Sequence, residues 1–145
     1  MALRIELSPN PTEEQRMAIV APLRAYNRAH GGPSSMEPFA LLIQDDEDAI
    51  LGGLYGHTFY RWMFVDLLAV PEQGRGQGIG RDLMEKAEAM AREKDCVGIW
   101  LDTFSFQAPE FYKKLGFTEC GMIEDYPLGH KRHFFQKRLL ECLTD

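Results

Sequence analysis

The spacing of apolar residues changes along the chain, and each change marks an element. Three apolar runs follow one another: "FALLIQ" (residues 39–44), "AILGGLYGHTFY" (49–60) and "WMFVDLLAV" (62–70). Each has strand length and strand composition. The polar "DDED" between the first two predicts a tight turn, and Gly52 and Gly53 predict a bulge in the second. The third run is broken only by Asp66 and ended by Pro71. Its near-continuous apolar character predicts burial on both faces, with helices against the sheet.

From Ile79 the period becomes helical. Ile79, Leu83, Ala87, Met90 and Ala91 line one side, while Asp82–Lys86 and Glu88–Arg92 form i,i+4 pairs on the wet side. "VGIWLDTF" (97–104) reads as another buried strand. "APEFYKKLG" (108–116) reads as a short helix stopped by Gly116. "FTECGMIEDY" and "KRHFFQKRL" read as two strands around the turn "PLGH". Upstream, "LRIEL" (3–7) predicts a first strand. A helix follows, with Asn10 as N-cap, Pro11 at its first position and Glu13 completing a capping box. Ile19, Leu23 and Tyr26 form its stripe, and Pro22 within that stripe predicts a kink or a break. "HGGPSSMEP" is a loop by composition. The order β-α-β-β-β-α-β-α-β-β predicts a single α/β or α+β layered domain over residues 1–145.

Composition narrows the function. A length of 145 residues suits one core, and 45% hydrophobic with 26% charged residues is ordinary for a soluble globular protein. A net charge of −6 gives no basic footprint for nucleic acid and slightly favours a cationic substrate. No apolar run reaches membrane length, and no basic segment followed by a long apolar one opens the chain. No membrane partner is expected, and a cytoplasmic location is the default. Cys96, Cys120 and Cys142 are odd in number and form no C-x-x-C pair, so free thiols are expected. His130 and His133 stand three apart on a strand, which points them to opposite faces, so no metal site is expected.

The densest signal is "PEQGRGQGIGR" (71–81), with glycine at 74, 76, 78 and 80 between a strand and a helix. Unpaired N–H groups and the helix dipole make such a turn an anion site. Glycines let the backbone approach the anion, Arg75 adds a charged fork, and Gln77 adds a neutral donor. The competing reading is a strand-to-helix turn with glycine for geometry alone. The dinucleotide pattern G-x-G-x-x-G fails in every register, and no G-K-[ST] exists. The pattern R-x-x-G-x-G does fit, as Arg75-Gly76-Gln77-Gly78-Ile79-Gly80.

That loop, following "LLAV", resembles the pyrophosphate loop of the GNAT acetyltransferase superfamily, which binds acetyl-CoA. A second segment is similar to the same family's A-x-x-[LF]-Y-x-x-x-G-F: Ala108-Pro109-Glu110-Phe111-Tyr112-Lys113-Lys114-Leu115-Gly116-Phe117. The resemblance implies a mixed central sheet of about six to seven strands flanked by helices, with one strand pair splayed apart near Leu68 and Val70. The backbone of those two residues would then bind the pantetheine amides, as an added strand pairs with a sheet edge. Many relatives carry an asparagine seven residues before the tyrosine. This chain has Ser105 there, with Gln107 close by, and either could contact the pantetheine.

The implied reaction is direct transfer of an acetyl group from acetyl-CoA to an amine of a small molecule in a ternary complex. Tyr112 resembles the family's general acid; the competing reading is a core aromatic. Asp66 stands where some relatives carry a glutamate base and would act through a water; the alternative is a structural hydrogen-bond acceptor. His57 is a second base candidate. An acyl-CoA-binding or regulatory module without catalysis is the alternative function. A homodimer through the aromatic C-terminal strands is compatible with the sequence.

Overall fold

The computed structural model describes residues 1–32 and 34–141, so Cys142 lies outside the described residues. The chain divides into two compact units, residues 1–34 and 35–145. The first holds one helix, α1 (Glu13–Gly31). Thr12 is its N-cap, in place of Asn10. The Thr12 hydroxyl accepts from the Gln15 amide at 3.1 Å, and the Gln15 side chain accepts from the Thr12 amide at 3.0 Å. This reciprocal pair is a full capping box. It wins over the predicted start two residues earlier because Glu13 is itself the first helical residue and cannot reach back. The helix runs through Pro22 without a break. Residues 3–7 form no strand. Alternation marks which side chains would share a face, but it does not by itself supply the ladder partner that a strand needs.

The second unit is a six-stranded mixed sheet: β1 (Glu37–Gln44), β2 (Ile50–Phe59), β3 (Trp62–Ala69), β4 (Gly98–Phe104), β5 (Thr118–Glu124) and β6 (Lys131–Arg138). The spatial order is β1-β2-β3-β4-β6-β5. Only β3 and β4 pair in parallel, with α2 (Ile79–Glu93) as their crossover; every other pairing is antiparallel. Tyr60 and Arg61, both at positive φ, form the two-residue hairpin between β2 and β3.

One face of the sheet packs on α2. Leu83, Met84, Ala87 and Ala91 of the helix meet Leu54, Met63, Val65, Ile99, Leu101 and Phe135 in the core. Period-two alternation along β4 buries Ile99, Leu101 and Thr103 and sends Trp100, Asp102 and Phe104 to the other face. On α2 the Glu88–Arg92 pair forms at 3.2 Å, and the second i,i+4 pair is Arg81–Glu85 in place of Asp82–Lys86.

Two irregularities shape the sheet. Ile43 faces Gly52 while Gln44 faces Ile50, which leaves Leu51 as the extra residue of a bulge beside the predicted glycines. Tyr55 faces Leu67 while Gly56 faces Val65, which leaves Asp66 extra on β3. A bulge bends its strand and increases its twist. At this residue β3 leaves β4: their ladder runs from Trp62↔Gly98 to Val65↔Leu101 and stops, although both strands continue. The predicted burial of residues 62–70 on both faces therefore fails in the second half. Met63 and Val65 are buried, whereas Asp66, Leu67 and Ala69 line an open fork.

Among the described residues no helix is long and apolar enough to cross a membrane. Phe135, fully buried on β6, faces Leu101 across the ladder. Phe135→Ala should destabilise the protein by about 3–5 kcal/mol, read as a lowered midpoint in urea unfolding.

Candidate active site

The fork opens into a cleft of about 740 Å³. It is lined by Val65–Ala69 of β3, Val70 just past that strand, and Asp102 and Thr103 of β4. Its floor is the turn before α2, together with Gln107, Ala108, Phe111 and Tyr112. Ten of the candidate residues meet there: Asp66, Leu68, Val70, Arg75, Gly76, Gly78, Ile79, Gly80, Gln107 and Tyr112.

The turn shows why it needs glycine. Gly76 and Gly78 take φ of +78° and +77°, the left-handed region that costs an L side chain about 1–2 kcal/mol. Gly78 is the N-cap of α2, and its carbonyl accepts the Asp82 amide at 3.0 Å. Among the described residues, no acceptor takes the N–H groups of residues 76–81. That row of free donors, with the dipole of a four-turn helix behind it and Arg75 and Arg81 beside it, is built for a polyanion. Gln77 does not join the lining. Its side-chain amide turns back to the Gln73 carbonyl at 3.1 Å and braces the turn.

Thr103 and Gln107 organise the chain after β4. The Gln107 side-chain oxygen accepts from the Phe104 amide at 2.8 Å and from the Thr103 hydroxyl at 3.2 Å. Its amide NH₂ has no partner among the described residues, and the side chain lines the cleft. Ser105 is elsewhere. Its hydroxyl accepts the Lys131 amide at 3.1 Å and ties the end of β4 to β6.

Tyr112 is placed by a helix end. In α3 (Pro109–Lys114), the Phe117 N–H bonds the Tyr112 carbonyl and the Gly116 N–H bonds the Lys113 carbonyl, both at 3.1 Å. Gly116 has φ +92°. This is a Schellman motif, and the Y-x-x-x-G-F spacing is its sequence form. Tyr112 is 7% exposed, packed among Phe111, Phe117 and Phe135, yet its hydroxyl bonds to no described residue. No described side-chain oxygen is both sealed and unpartnered, so this hydroxyl opens onto the cleft that Tyr112 lines. Burial, reinforced by the Asp102 charge, pushes the phenol up to about 12.

Asp66 is exposed on the cleft wall and forms no ion pair or hydrogen bond within the described residues. His57 lies outside the cleft lining, half-buried with its ring 5.5 Å from that of Phe64. His133 turns to Glu119, and His130 lies near Ser105 at 3.4 Å. Cys96 is buried, which raises its thiol pKa, and Cys120 is exposed; both are free.

Sequence reasoning overlooked Asp102 and Arg132. Arg132 Nε donates to Asp102 Oδ1 at 2.8 Å, and its guanidinium lies over the rings of Phe104, Tyr126 and Phe134. Asp102 sits in an ordinary-looking strand, and only the sheet register brings it to the fork.

The family model described as Acetyltransferase (GNAT) family matches residues 3–117. The chain belongs to the GNAT acetyltransferase family. An acetyltransferase of Agrobacterium fabrum is 39% identical over 132 residues, covering 91% of this chain and 96% of that protein. The blasticidin-S acetyltransferase of Streptomyces morookaense is 40% identical over 105 residues, covering 72% and 77%. A solved acetyltransferase from Bacillus cereus superposes with a TM-score of 0.81 at 39% identity, covering 92% of this chain and 98% of that one. The splayed sheet of this GNAT acetyltransferase is thus the fold expected from its two motifs.

Two measurements check the geometry. Gly78→Ala should lower unfolding stability by about 1–2 kcal/mol in denaturant titration, because the alanine must hold a left-handed backbone. In an absorbance titration, one tyrosine should ionise near pH 12. Tyr112 ionises at about pH 10 when unfolded, so its stabilising contribution is complete below pH 10 and is lost as pH rises from 10 to 12.

Proposed function

We propose that this single catalytic domain is an N-acetyltransferase that moves the acetyl group of acetyl-CoA to an amine of a small molecule by direct attack in a ternary complex. The observation that carries the reading is the Tyr112 hydroxyl, buried, protonated and without a partner, opening onto the cleft that the free donors of residues 76–81 also face. Acetyl-CoA is the family's co-substrate, and the groups present fit it. The free N–H row with Arg75 suits a diphosphate. The edge at Leu68 of β3 and Val70 just past it, unpaired toward β4, suits an amide-bearing arm. The free Gln107 amide adds a donor beside that arm, while Ser105 and Gln77 serve the protein's own backbone.

The co-substrate supplies the activated acyl group. This chain's residues do the remaining work. A backbone N–H on β3 beyond the split steadies the carbonyl oxygen as negative charge grows there. Tyr112 donates its proton to the leaving sulfur; a phenol held neutral to about pH 12 is an apt acid for a basic thiolate. Asp66, free and wet, takes up the proton that the amine releases, through a water. The relative named for blasticidin S, and a streptothricin acetyltransferase of Streptomyces lavendulae 32% identical over 80 residues, speak for a small-molecule acceptor.

The test is release of CoA thiol from acetyl-CoA with a panel of amines that includes blasticidin S. Turnover should appear with at least one amine, and Tyr112→Phe should lower kcat by about 10²–10⁴-fold while calorimetric affinity for acetyl-CoA stays within a few-fold. Tight binding of acetyl-CoA with no amine turned over would favour a non-catalytic module. Tyr112→Phe at full activity would remove the tyrosine from the mechanism.

A further inference from the structure

Val65↔Leu101 is the last pair joining β3 to β4, so Asp66 and Asp102 are the first residue past the split on each strand. The cleft is therefore bipolar. Arg75, Arg81 and the free N–H row mark one end, and two carboxylates flank the fork at the other. The buried, unpartnered Tyr112 hydroxyl opens onto the same space.

Asp102 is held with care. Arg132 meets its Oδ1 through Nε alone, at 2.8 Å, while Arg132 Nη1 donates to the Tyr126 hydroxyl at 3.0 Å. An arginine that merely neutralises a carboxylate favours the two-pronged fork, which satisfies both oxygens. Here the second oxygen has no partner among the described residues, although the side chain is only 15% exposed. No described oxygen is sealed without a partner, so this one keeps access to solvent, and Asp102 is among the residues that line the cleft. Arg132 offsets the Asp102 charge through one oxygen only, and Asp66, just past the same split, has no cationic partner among the described residues.

We infer that Asp102, fixed by Arg132, receives a cationic group of the acceptor, so that the acceptor is an amine carrying a second ammonium or guanidinium. This rests on the N-acetyltransferase reading above. The second charge is distinct from the reacting nitrogen, which must be neutral to attack and whose proton goes to Asp66. Neighbouring strands lie about 4.8 Å apart and widen past the split, so the two nitrogens are separated by roughly 5–8 Å, a spacer of about four to six bonds.

The experiment compares matched amines with acetyl-CoA and the intact protein: 1,3-diaminopropane and 1,4-diaminobutane against the amino alcohols of equal length, with blasticidin S as a further acceptor. The wild type should favour the diamines by about tenfold or more in kcat/KM. Asp102→Asn should erase that preference by raising KM for the diamines about tenfold. The loss in kcat/KM should be at least about tenfold greater for the diamines than for the amino alcohols, and Asp102→Glu should restore part of the preference. Equal kcat/KM for both members of each pair in the wild type overturns the inference while leaving the N-acetyltransferase standing, and this holds even if Asp102→Asn does not fold. An Asp102→Asn variant that loses both classes equally also overturns it, since Asp102 would then serve only to hold Arg132. No turnover of any amine overturns the underlying reading instead.

Discussion

The structure depends on one broken ladder. A parallel pair that starts at Trp62 and Gly98 ends at Val65 and Leu101, and beyond it two strands run on without each other. Unpaired backbone groups are costly when sealed from water and from partners. The extra residue at Asp66 bends β3 away and keeps the freed edge open to the cleft. Each strand keeps its other neighbour, β2 for β3 and β6 for β4, so the sheet survives the split. An edge is thereby created inside a sheet, where a ligand can replace a strand.

Two further devices serve that edge. The glycine turn leaves the donors of residues 76–81 without a described acceptor at one end of the cleft, and Gly76 and Gly78 hold the left-handed backbone that this turn requires. The Schellman end of α3 fixes Tyr112 by main-chain bonds and wedges its ring among three phenylalanines. A site built on a helix start, a helix end and a strand edge is held by backbone geometry, so few side chains carry its chemistry.

Much of this was legible in the sequence, and for local reasons. Strands β1 to β6 and helix α2 follow from apolar period, and the turn follows from glycine at alternate positions. The segment 108–117 works as a motif because a Schellman end is encoded within six residues. What failed was whatever required a partner. Residues 3–7 alternate like a strand yet do not form one, because alternation alone supplies no ladder. The capping box moved from Asn10 to Thr12, a choice between two adjacent local solutions that the realised first turn decides. Burial of 62–70 on both faces looked secure until the split exposed its second half.

By itself, then, the sequence determined strands β1 to β6, helix α2, the glycine turn and the seat of the tyrosine, because apolar period and contacts between near neighbours in the chain specify each of them. Only the tertiary structure decided that Gln107 faces the cleft while Ser105 braces β6. It alone set Asp102 across from Asp66 under the grip of Arg132. Asp66 and Asp102 stand thirty-six places apart in the chain, and Arg132 lies thirty beyond Asp102. Their meeting is a matter of register across three strands, which the order of residues along any one strand does not encode.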